Sequence, residues 1–250
     1  MELLLHQKDV YIHGLTLDCI LTHKCVVCLY KFIPKQTIKK IRDLGIVLPN
    51  NLRPETCPRS TESMTNHSST HCGLYHHKDS ILTLGDGDFS FSLSLIRGGH
   101  RSTRLCATSY ESLQSITSIY QNCDSILQAL SSSGAKTFHN VDAADISATV
   151  TIPKAHFDVV VWNFPCIAAD RAGSDGQVAE IEKNKALLRK FFANVGQFLK
   201  MNGRREVHLT HKTIEPFSWW GLTDIAVECG WIYRGSLVFD RYANTDITYT

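Results

Sequence analysis

Apolar residues in the second part of the chain follow two alternating patterns. Short, nearly continuous apolar runs are typical of buried strands, whereas apolar residues that recur once per helical turn are typical of amphipathic helices. The runs predict strands at 81–84, 104–109, 136–139, 157–161, 206–209, 231–239 and 247–249. The helical spacing predicts one helix that begins near residue 89 and three further helices at 111–130, 178–198 and 216–230. Strands that alternate with helices in this way predict an α/β sheet with helices on both faces.

Residues 1–78 lack this regular alternation. Pro34 precedes a short segment with helical spacing that ends at Gly45, and its basic residues form either a solvated helix face or an RNA contact. Residues 49–70 are rich in Pro, Asn, Ser and Thr, a composition typical of a flexible connection. We therefore predict a small N-terminal extension at 1–78 and an α/β domain at 79–250.

The first predicted strand of the domain runs directly into the turn Gly85-Asp86-Gly87-Asp88. Glycines at such a turn allow the backbone to bend sharply and to approach a ligand closely, although Gly-Asp-Gly is also ordinary turn chemistry. A dinucleotide site would have a third glycine shortly after Gly87, where Phe89 and Ser90 stand instead, so the bulk at this point argues against NAD or FAD. The chain also lacks the glycine-lysine pattern of a phosphate loop, which argues against ATP or GTP.

Carboxylates stand just beyond the ends of the first three predicted strands of the domain. They are Asp86 and Asp88 in the first turn, Glu111 after the second strand and Asp142 after the third. Carboxylates suit S-adenosylmethionine, which has no phosphate but carries a cationic sulfonium, an ammonium group and a ribose diol. Glu111 and Asp142 are individually also ordinary loop or helix-start residues. Their joint placement favours a site for a cationic ligand without phosphates.

A second candidate site follows the fourth predicted strand, at Asn163-Phe164-Pro165. An asparagine at a strand end, beside an aromatic ring and a proline that fixes the turn, is suited to hold the edge and face of a flat base. Asn-x-Pro is also common in turns. The motif therefore favours a base-binding site and leaves a purely structural turn open.

Composition narrows the class of protein only slightly. The 250 residues carry a formal net charge of +2, which is too small to mark a nucleic-acid-binding protein. The nine cysteines are scattered and the first residues do not follow the pattern of a secretory leader, so we expect a reduced, intracellular protein. The apolar stretch 15–33 contains Asp18, Lys24 and Lys31, which argues against a membrane span.

Cys25 and Cys28 have the spacing of a zinc knuckle, and further cysteines and histidines lie between residues 57 and 72. The downstream residues are irregularly spaced. Cys25 and Cys28 also lie among apolar residues, where a thiol is usually a small hydrophobic side chain. We therefore predict no metal site, with zinc binding by Cys25 and Cys28 left as an open alternative.

Five stretches of the chain resemble, in the same order, the 25S ribosomal RNA uridine-N3 methyltransferase-like domain. They are 81–92, 106–112, 162–165, 184–192 and 208–217. The most specific are Gly-Asp-Gly-Asp-Phe-Ser-Phe-Ser and Asn-Phe-Pro, and the resemblance covers about residues 75–240. It implies a Rossmann-like methyltransferase fold, S-adenosylmethionine as the methyl donor and uridine in large-subunit ribosomal RNA as the acceptor. A protein of this kind would meet ribosomal RNA or a pre-ribosome in the nucleolus or cytoplasm.

The resemblance also implies roles for individual residues. By position, 85–87 would hold the methionine moiety of the donor, Glu111 the ribose, Asp142 the adenine and 163–165 the target base. The imide N–H of uridine is weakly acidic, so the enzyme must align N3 with the methyl group and assist loss of the proton.

Two residues are predicted to act on the uracil ring. Asn163 is expected to bind a uracil carbonyl, and Lys212 is expected to stabilise the negative charge that develops there. His211, next to Lys212, is predicted to be a further substrate contact.

Two features depart from the family. Cys166 stands where the family has a histidine, and 240–250 lacks the family's Tyr-Gly-Tyr followed by basic residues. These departures leave open a catalytically inactive RNA-binding or ribosome-assembly module with the same fold. A nicotinamide-dependent oxidoreductase is disfavoured by Phe89. The sequence makes no prediction of oligomeric state.

Overall fold

The fold is organised around a seven-stranded sheet. The computed structural model describes residues 25–32, 71–72, 74–167 and 178–238. The strands in these ranges are β1 (Cys25–Phe32), β2 (His71–Cys72), β3 (Tyr75–His76), β4 (Ile81–Leu84), β5 (Leu105–Thr108), β6 (Lys136–Phe138), β7 (Val159–Asn163), β8 (Glu206–Lys212) and β9 (Trp231–Val238). The α-helices are α1 (Ser90–Arg97), α2 (Leu113–Ile119), α3 (Cys123–Ser133), α4 (Val178–Val195) and α5 (Leu222–Glu228).

The strand order in the large sheet is β6-β5-β4-β7-β8-β1-β9. The strands from β6 to β8 are parallel, while β1 is antiparallel to both of its neighbours. From β4 the chain moves outward through β5 and β6, and then returns to add β7 on the other side of β4. Open α/β sheets bind their ligands where the strand order reverses in this way. The predicted α/β, Rossmann-like fold is confirmed.

Helices cover both faces of the sheet, which explains why its central strands are continuous apolar runs. The helices α1, α2 and α3 pack on one face, and α4 and α5 pack on the other. Alternate residues of β4 divide between the two layers: Ile81 belongs to the first, and Leu82 and Leu84 belong to the second. No helix in the described ranges is both long enough and apolar enough to cross a membrane.

Two predicted helices are divided in the structure. The predicted helix 111–130 is broken between α2 and α3, where the backbone of Tyr120 is extended. The predicted helix 216–230 begins as a 3-10 turn at Phe217–Trp220 and resumes as α5 after Gly221, whose φ of 62° lies in the left-handed region. The apolar spacing continues through both breaks, so the spacing alone does not reveal them.

The strands β7 and β8 extend further toward their carboxyl ends than the sequence predicts. Their pairing continues until Asn163 lies opposite Thr210. Asn163 is therefore the last residue of a strand rather than part of a following turn. The predicted helix near 34–45 and the predicted strand 247–249 lie outside the described residues.

Strand β1 comes from the segment that was predicted to be an N-terminal extension. It pairs with β8 along one side and with β9 along the other. Sequence patterns report local spacing, so they cannot reveal a pairing between segments this far apart. The boundary at residue 78 stays a prediction, because residues 33–70 lie outside the described part of the chain.

We expect a chain that begins at residue 34 to unfold at a lower temperature than one that begins at residue 24. The shorter chain lacks β1, so β8 loses its partner on one side and β9 loses its one neighbour among the described strands. Unpaired edges also promote aggregation. Thermal unfolding and light scattering of the two truncated chains measure both effects. Equal unfolding temperatures would show that β1 contributes nothing to the folded sheet.

Charged side chains fix the beginning of β8 to the segment that precedes β4. Arg204 donates hydrogen bonds to Asp79 and to Glu206, each at 2.6 Å. Glu206 also lies 3.2 Å from Nε2 of the buried His208. Burial by itself raises the pKa of Glu206, but the His208 hydrogen bond and the Arg204 charge outweigh it and lower the pKa to about 2. Glu206 therefore stays ionised at neutral pH and keeps its ion pair with Arg204.

Candidate active site

The turns that follow β4, β5, β6, β7 and β8 lie along one edge of the sheet. Because these strands are parallel, their carboxyl ends all point to that edge. The predicted site residues on these turns and strand ends are Gly85, Asp86, Gly87, Asp88, Glu111, Asp142, Asn163, Phe164, Pro165, His211 and Lys212. The edge is therefore the candidate site.

Two features of the structure favour glycine at position 85. Its φ of 59° lies in the left-handed region, which side chains disfavour. A Cβ at this position would also lie 3.1 Å from Nε1 of Trp162 in β7. The turn is tied to the next strand, because the N–H of Asp86 donates to the carbonyl of Thr108 at 2.9 Å.

The carboxylates of Asp86 and Asp88 bond to the first turn of α1. Oδ2 of Asp86 accepts from the N–H of Ser92 at 2.8 Å and from its hydroxyl at 2.5 Å. Oδ1 of Asp88 accepts from the N–H of Ser90 at 2.9 Å. Asp86 thus has a structural role that the sequence did not predict, as an acceptor for the free N–H groups of a helix start. The two carboxylates also make this end of the site negative.

Phe89 stands between this turn and α1 in a strained conformation. Its φ of 62° lies in the left-handed region, although the side chain is fully buried. It immediately precedes Ser90, which occupies the position of the third glycine of a dinucleotide site. The sequence therefore places a bulky residue at a position whose backbone would suit glycine, and strain of this kind is concentrated at functional sites.

Burial raises the pKa of Asp86 to about 6, and the nearby Asp88 charge adds to this effect. The hydrogen bonds from Ser92 act in the opposite direction and lower the pKa. Asp86 is therefore ionised at neutral pH but becomes protonated in weakly acidic solution. A bound cation would favour the ionised form.

Gly87 makes room for the side chain of Tyr120. A Cβ at Gly87 would lie 2.9 Å from the hydroxyl oxygen of Tyr120 and 3.4 Å from its Cζ. The break between α2 and α3 brings Tyr120 to this position. Tyr120 was not predicted to be a site residue, because the helix 111–130 was expected to be continuous and Tyr120 would then lie on its apolar face.

We expect Gly87→Ala to destabilise the chain by about 1 kcal/mol, and we expect most of this loss to disappear in the Tyr120→Phe background. Phenylalanine lacks the hydroxyl, so the nearest remaining ring carbon lies at an ordinary contact distance from an added Cβ. Urea unfolding of the two single variants and the double variant measures the coupling. Additive free energies of unfolding would show that the Tyr120 hydroxyl does not occupy this space.

Ser109 joins the turns that follow β5 and β6. Its hydroxyl donates to the carbonyl of Glu111 at 2.8 Å, and its carbonyl accepts from the N–H of Val141 at 3.0 Å. Glu111 and Asp142 are therefore held on neighbouring turns. Asp142 is exposed, and its Oδ1 accepts from the N–H of Ala144 at 2.8 Å. Asp142 thus stabilises its own turn as well.

His139 is a residue of this edge that the sequence analysis did not single out. Its Nδ1 lies 3.0 Å from the hydroxyl of Ser109. Because Ser109 gives its only hydroxyl proton to Glu111, its oxygen accepts from Nδ1–H of His139. Burial lowers the pKa of His139, which keeps the ring neutral and leaves Nε2 as an acceptor. The ring also meets Phe89 edge to face, with centroids 5.4 Å apart.

Asn163 is oriented by the neighbouring strand. Its Oδ1 accepts from the hydroxyl of Thr210 at 2.6 Å. The two hydrogens of its Nδ2 have no acceptor among the described residues. Asn163 therefore presents an oriented pair of N–H donors at the carboxyl end of β7.

The residues after Asn163 form a fixed turn. Phe164 has a φ of 51°, and its N–H donates to the carbonyl of Thr210 at 3.0 Å. Pro165 is buried and Cys166 is exposed. The N–H of Ile167 donates to Oδ1 of the buried Asn184 in α4 at 2.8 Å. These contacts hold the Asn-Phe-Pro motif between β8 and α4.

Lys212 and His211 have different surroundings at the end of β8. Nζ of Lys212 lies 4.1 Å from the centroid of the Phe217 ring. The buried His211 packs against Trp220, with centroids 4.8 Å apart, and its Nε2 lies 3.1 Å from the carbonyl oxygen of Phe217. Burial lowers the pKa of His211, so the ring is neutral. The structure gives His211 a supporting role, and its contact with substrate stays a prediction.

No group of three or more His, Cys, Asp or Glu side chains that could hold a metal occurs in the ranges that the structure describes. Cys25 and Cys28 lie in β1, and the candidate partners Cys57 and His67 lie outside the described residues. Zinc binding by these cysteines therefore stays an open question.

One family model matches most of the domain. It is the BMT5-like model, described as rRNA (uridine-N3-)-methyltransferase BTM5-like, and it matches residues 82–246. The matched range includes all the predicted site residues, from Gly85 to Lys212. The match supports an rRNA methyltransferase-like function.

Two Arabidopsis thaliana proteins and one Mus musculus protein are similar to this chain. Heavy metal-associated isoprenylated plant protein 41 is 33% identical over 167 residues, which cover 67% of this chain and 32% of that protein. Uncharacterized protein At4g26485 is 32% identical over 163 residues, which cover 65% of this chain and 73% of that protein. The mouse Ferredoxin-fold anticodon-binding domain-containing protein 1 homolog is 31% identical over 133 residues, which cover 52% of this chain and 19% of that protein. The chain thus spans only part of the first and third of these relatives.

Proposed function

The chain belongs to the BMT5-like family, and from that premise we propose that it is an S-adenosylmethionine-dependent methyltransferase that modifies N3 of uridine in large-subunit ribosomal RNA. The observation that carries this proposal is the pair of carboxylates that bond to the start of α1. When bound, S-adenosylmethionine supplies an electrophilic methyl group on a cationic sulfur. The residues of the chain have to hold this donor and the uracil ring in line.

The start of α1 supports a donor that is cationic and has no phosphate. Free N–H groups at a helix start attract phosphate. Here the N–H groups of Ser90 and Ser92 are already bonded to Asp88 and Asp86. A dinucleotide pyrophosphate would meet two carboxylates, whereas the ammonium and sulfonium groups of S-adenosylmethionine are attracted to them.

The neighbouring turns supply groups for the rest of the donor. Glu111 is half-buried on the turn after β5, where a carboxylate can bond to a ribose diol. Asp142 and Nε2 of His139 are acceptors on the turn after β6, and the exocyclic amino group of adenine needs an acceptor. These groups support the predicted order of methionine, ribose and adenine along the edge.

Asn163 and Lys212 support uridine as the acceptor. The Nδ2 donors of Asn163 can bond to a uracil carbonyl, because Thr210 holds the other end of the amide. Negative charge develops on that carbonyl as the N3 proton passes to solvent water, and the ammonium of Lys212 can stabilise it. The half-buried Phe164 can add an aromatic surface for the ring, and the buried Pro165 fixes the turn that carries it. The partner in this proposal is ribosomal RNA or a pre-ribosome, in the nucleolus or cytoplasm.

We expect cells that lack this protein to lose 3-methyluridine from large-subunit ribosomal RNA. Mass spectrometry of nucleosides from purified ribosomal RNA measures the modification, and the unchanged gene should restore it. Purified protein should also transfer the methyl group from S-adenosylmethionine to the RNA of the deficient cells. Unaltered 3-methyluridine in those cells would contradict the proposed acceptor.

A second candidate function is an inactive RNA-binding module with the same fold. The exposed Cys166 favours it, because this residue replaces the family's histidine beside the Asn-Phe-Pro motif. Binding of S-adenosylmethionine by the purified chain, with no methyl transfer to RNA from deficient cells, would support this alternative.

A further inference from the structure

The hydroxyl of Tyr120 is a hydrogen-bond donor that has no partner among the described residues. The side chain is half-buried, and its hydroxyl lies on the side of Gly87 where a Cβ would be. The charges of Glu111, Asp88 and Asp86 all act on this hydroxyl. Tyr120 is thus a neutral donor beside Gly87, within reach of the charges of the carboxylates that form the proposed donor site.

The chemistry of S-adenosylmethionine requires such a donor. Its ammonium and carboxylate groups are attached to the same carbon, so a pocket that attracts the ammonium also receives the carboxylate. A carboxylate accepts hydrogen bonds only, and leaving it unpaired among other carboxylates is costly. In many helix-start sites the backbone N–H groups would bond to it. Here those of Ser90 and Ser92 are bonded to Asp88 and Asp86.

Trp162 is the alternative donor at this turn. Its indole N–H lies near Gly85 and has no hydrogen-bond partner in the described part of the chain. The residue is only 6% exposed, and its ring packs against Phe191 of α4 with centroids 4.8 Å apart. Tyr120 is more accessible, and the charges of the three carboxylates act on its hydroxyl.

We infer, on the basis of the proposed function, that the Tyr120 hydroxyl donates a hydrogen bond to the carboxylate of bound S-adenosylmethionine. Tyr120 is then a binding residue for the methyl donor, and it allows the acidic site to accept a ligand that carries its own carboxylate. The contact concerns the amino-acid end of the donor and not the methyl group. Tyr120→Phe should therefore raise KM for S-adenosylmethionine and leave kcat within about twofold.

Two probes separate this contact from a general effect on the pocket. They are S-adenosylmethionine and decarboxylated S-adenosylmethionine, which keeps the sulfonium, the ammonium and the adenosine. Calorimetric titration of the full chain should show that Tyr120→Phe weakens binding of S-adenosylmethionine by about tenfold or more, because a hydrogen bond to a charged group is lost. Binding of the decarboxylated probe should change by less than about twofold.

Two variants serve as controls. Tyr233→Phe removes a hydroxyl from β9 and should bind both probes as the unchanged chain does. Trp162→Phe removes the alternative donor. Selective loss of S-adenosylmethionine binding in Trp162→Phe, with normal binding in Tyr120→Phe, would overturn the inference in favour of Trp162.

The remaining outcomes are also decisive. Equal weakening of both probes in Tyr120→Phe would overturn the carboxylate contact and assign Tyr120 to the shape of the pocket. Normal binding of both probes by Tyr120→Phe would overturn the inference but leave the proposed function intact. If the unchanged chain bound neither probe, the proposed function itself would fail, and the inference with it.

Discussion

Methyl transfer to ribosomal RNA is expected to fall by about a hundredfold or more in Asn163→Ala, because the variant lacks a positioned donor to the uracil carbonyl. The hydrogen bond from the Thr210 hydroxyl to Oδ1 fixes the side-chain amide of Asn163. Its Nδ2 donors are therefore already oriented toward the carbonyl oxygen on which negative charge develops. Asn163 ends β7, whereas the carboxylates of the first turn follow the neighbouring strand β4. Affinity for S-adenosylmethionine should therefore stay within about twofold.

Two further substitutions, one at Asn163 and one at its partner Thr210, test the reason for this loss of activity. Asn163→Asp keeps an acceptor for Thr210 but removes the Nδ2 donors, so it should be as inactive as Asn163→Ala. Thr210→Val keeps the donors but removes the bond that orients them. Its expected loss is smaller, about tenfold. The assay follows transfer of a tritiated methyl group into purified RNA, and undiminished transfer by Asn163→Asp would contradict the proposed contact.

The central sheet could be predicted from sequence because both of its faces are buried. Residues such as Leu82 and Val160 face one helical layer, and Ile81 and Val159 face the other, so each strand is a continuous apolar run. Strand β1 could not be placed in the same way. Its partners β8 and β9 lie at the other end of the chain, and only tertiary pairing specifies its position.

The positions of the site residues were predictable, but their orientations were not. Asp86 and Asn163 stand at the carboxyl ends of predicted parallel strands, and such strand ends lie at one common edge of the sheet. Whether a side chain points toward ligand or toward its own backbone depends on packing. Asp86 bonds to α1, and His211 is buried against Trp220. Tyr120 reaches the site only because its predicted helix is broken.

Replacing Asp86 with asparagine should remove most of the pH dependence of donor binding. In the unchanged chain, affinity for S-adenosylmethionine should rise as pH increases through the pKa of Asp86, which burial raises to about 6. Below that value, protonation of the carboxylate should weaken binding by up to about tenfold per pH unit. Asp86→Asn should bind about tenfold more weakly at pH 7.5, with an affinity that changes little down to pH 5. Calorimetric titrations across this range measure both chains.

The stability of the donor-free chain should fall as the pH rises, whereas donor affinity rises. Measuring both therefore separates the effect of the Asp86 charge from its hydrogen bonds to the start of α1. In the folded chain the pKa of Asp86 lies above its ordinary value of 3.8. The stability that the protonated Asp86 contributes is therefore complete below pH 3.8 and is lost as the pH rises through about 6. The asparagine side chain of the variant would keep an oxygen for the N–H of Ser92. Asp86→Asn should therefore be at least as stable as the unchanged chain at pH 7.5, and the two should converge near pH 4. A variant that is less stable at both pH values would show that the carboxylate serves mainly to cap α1.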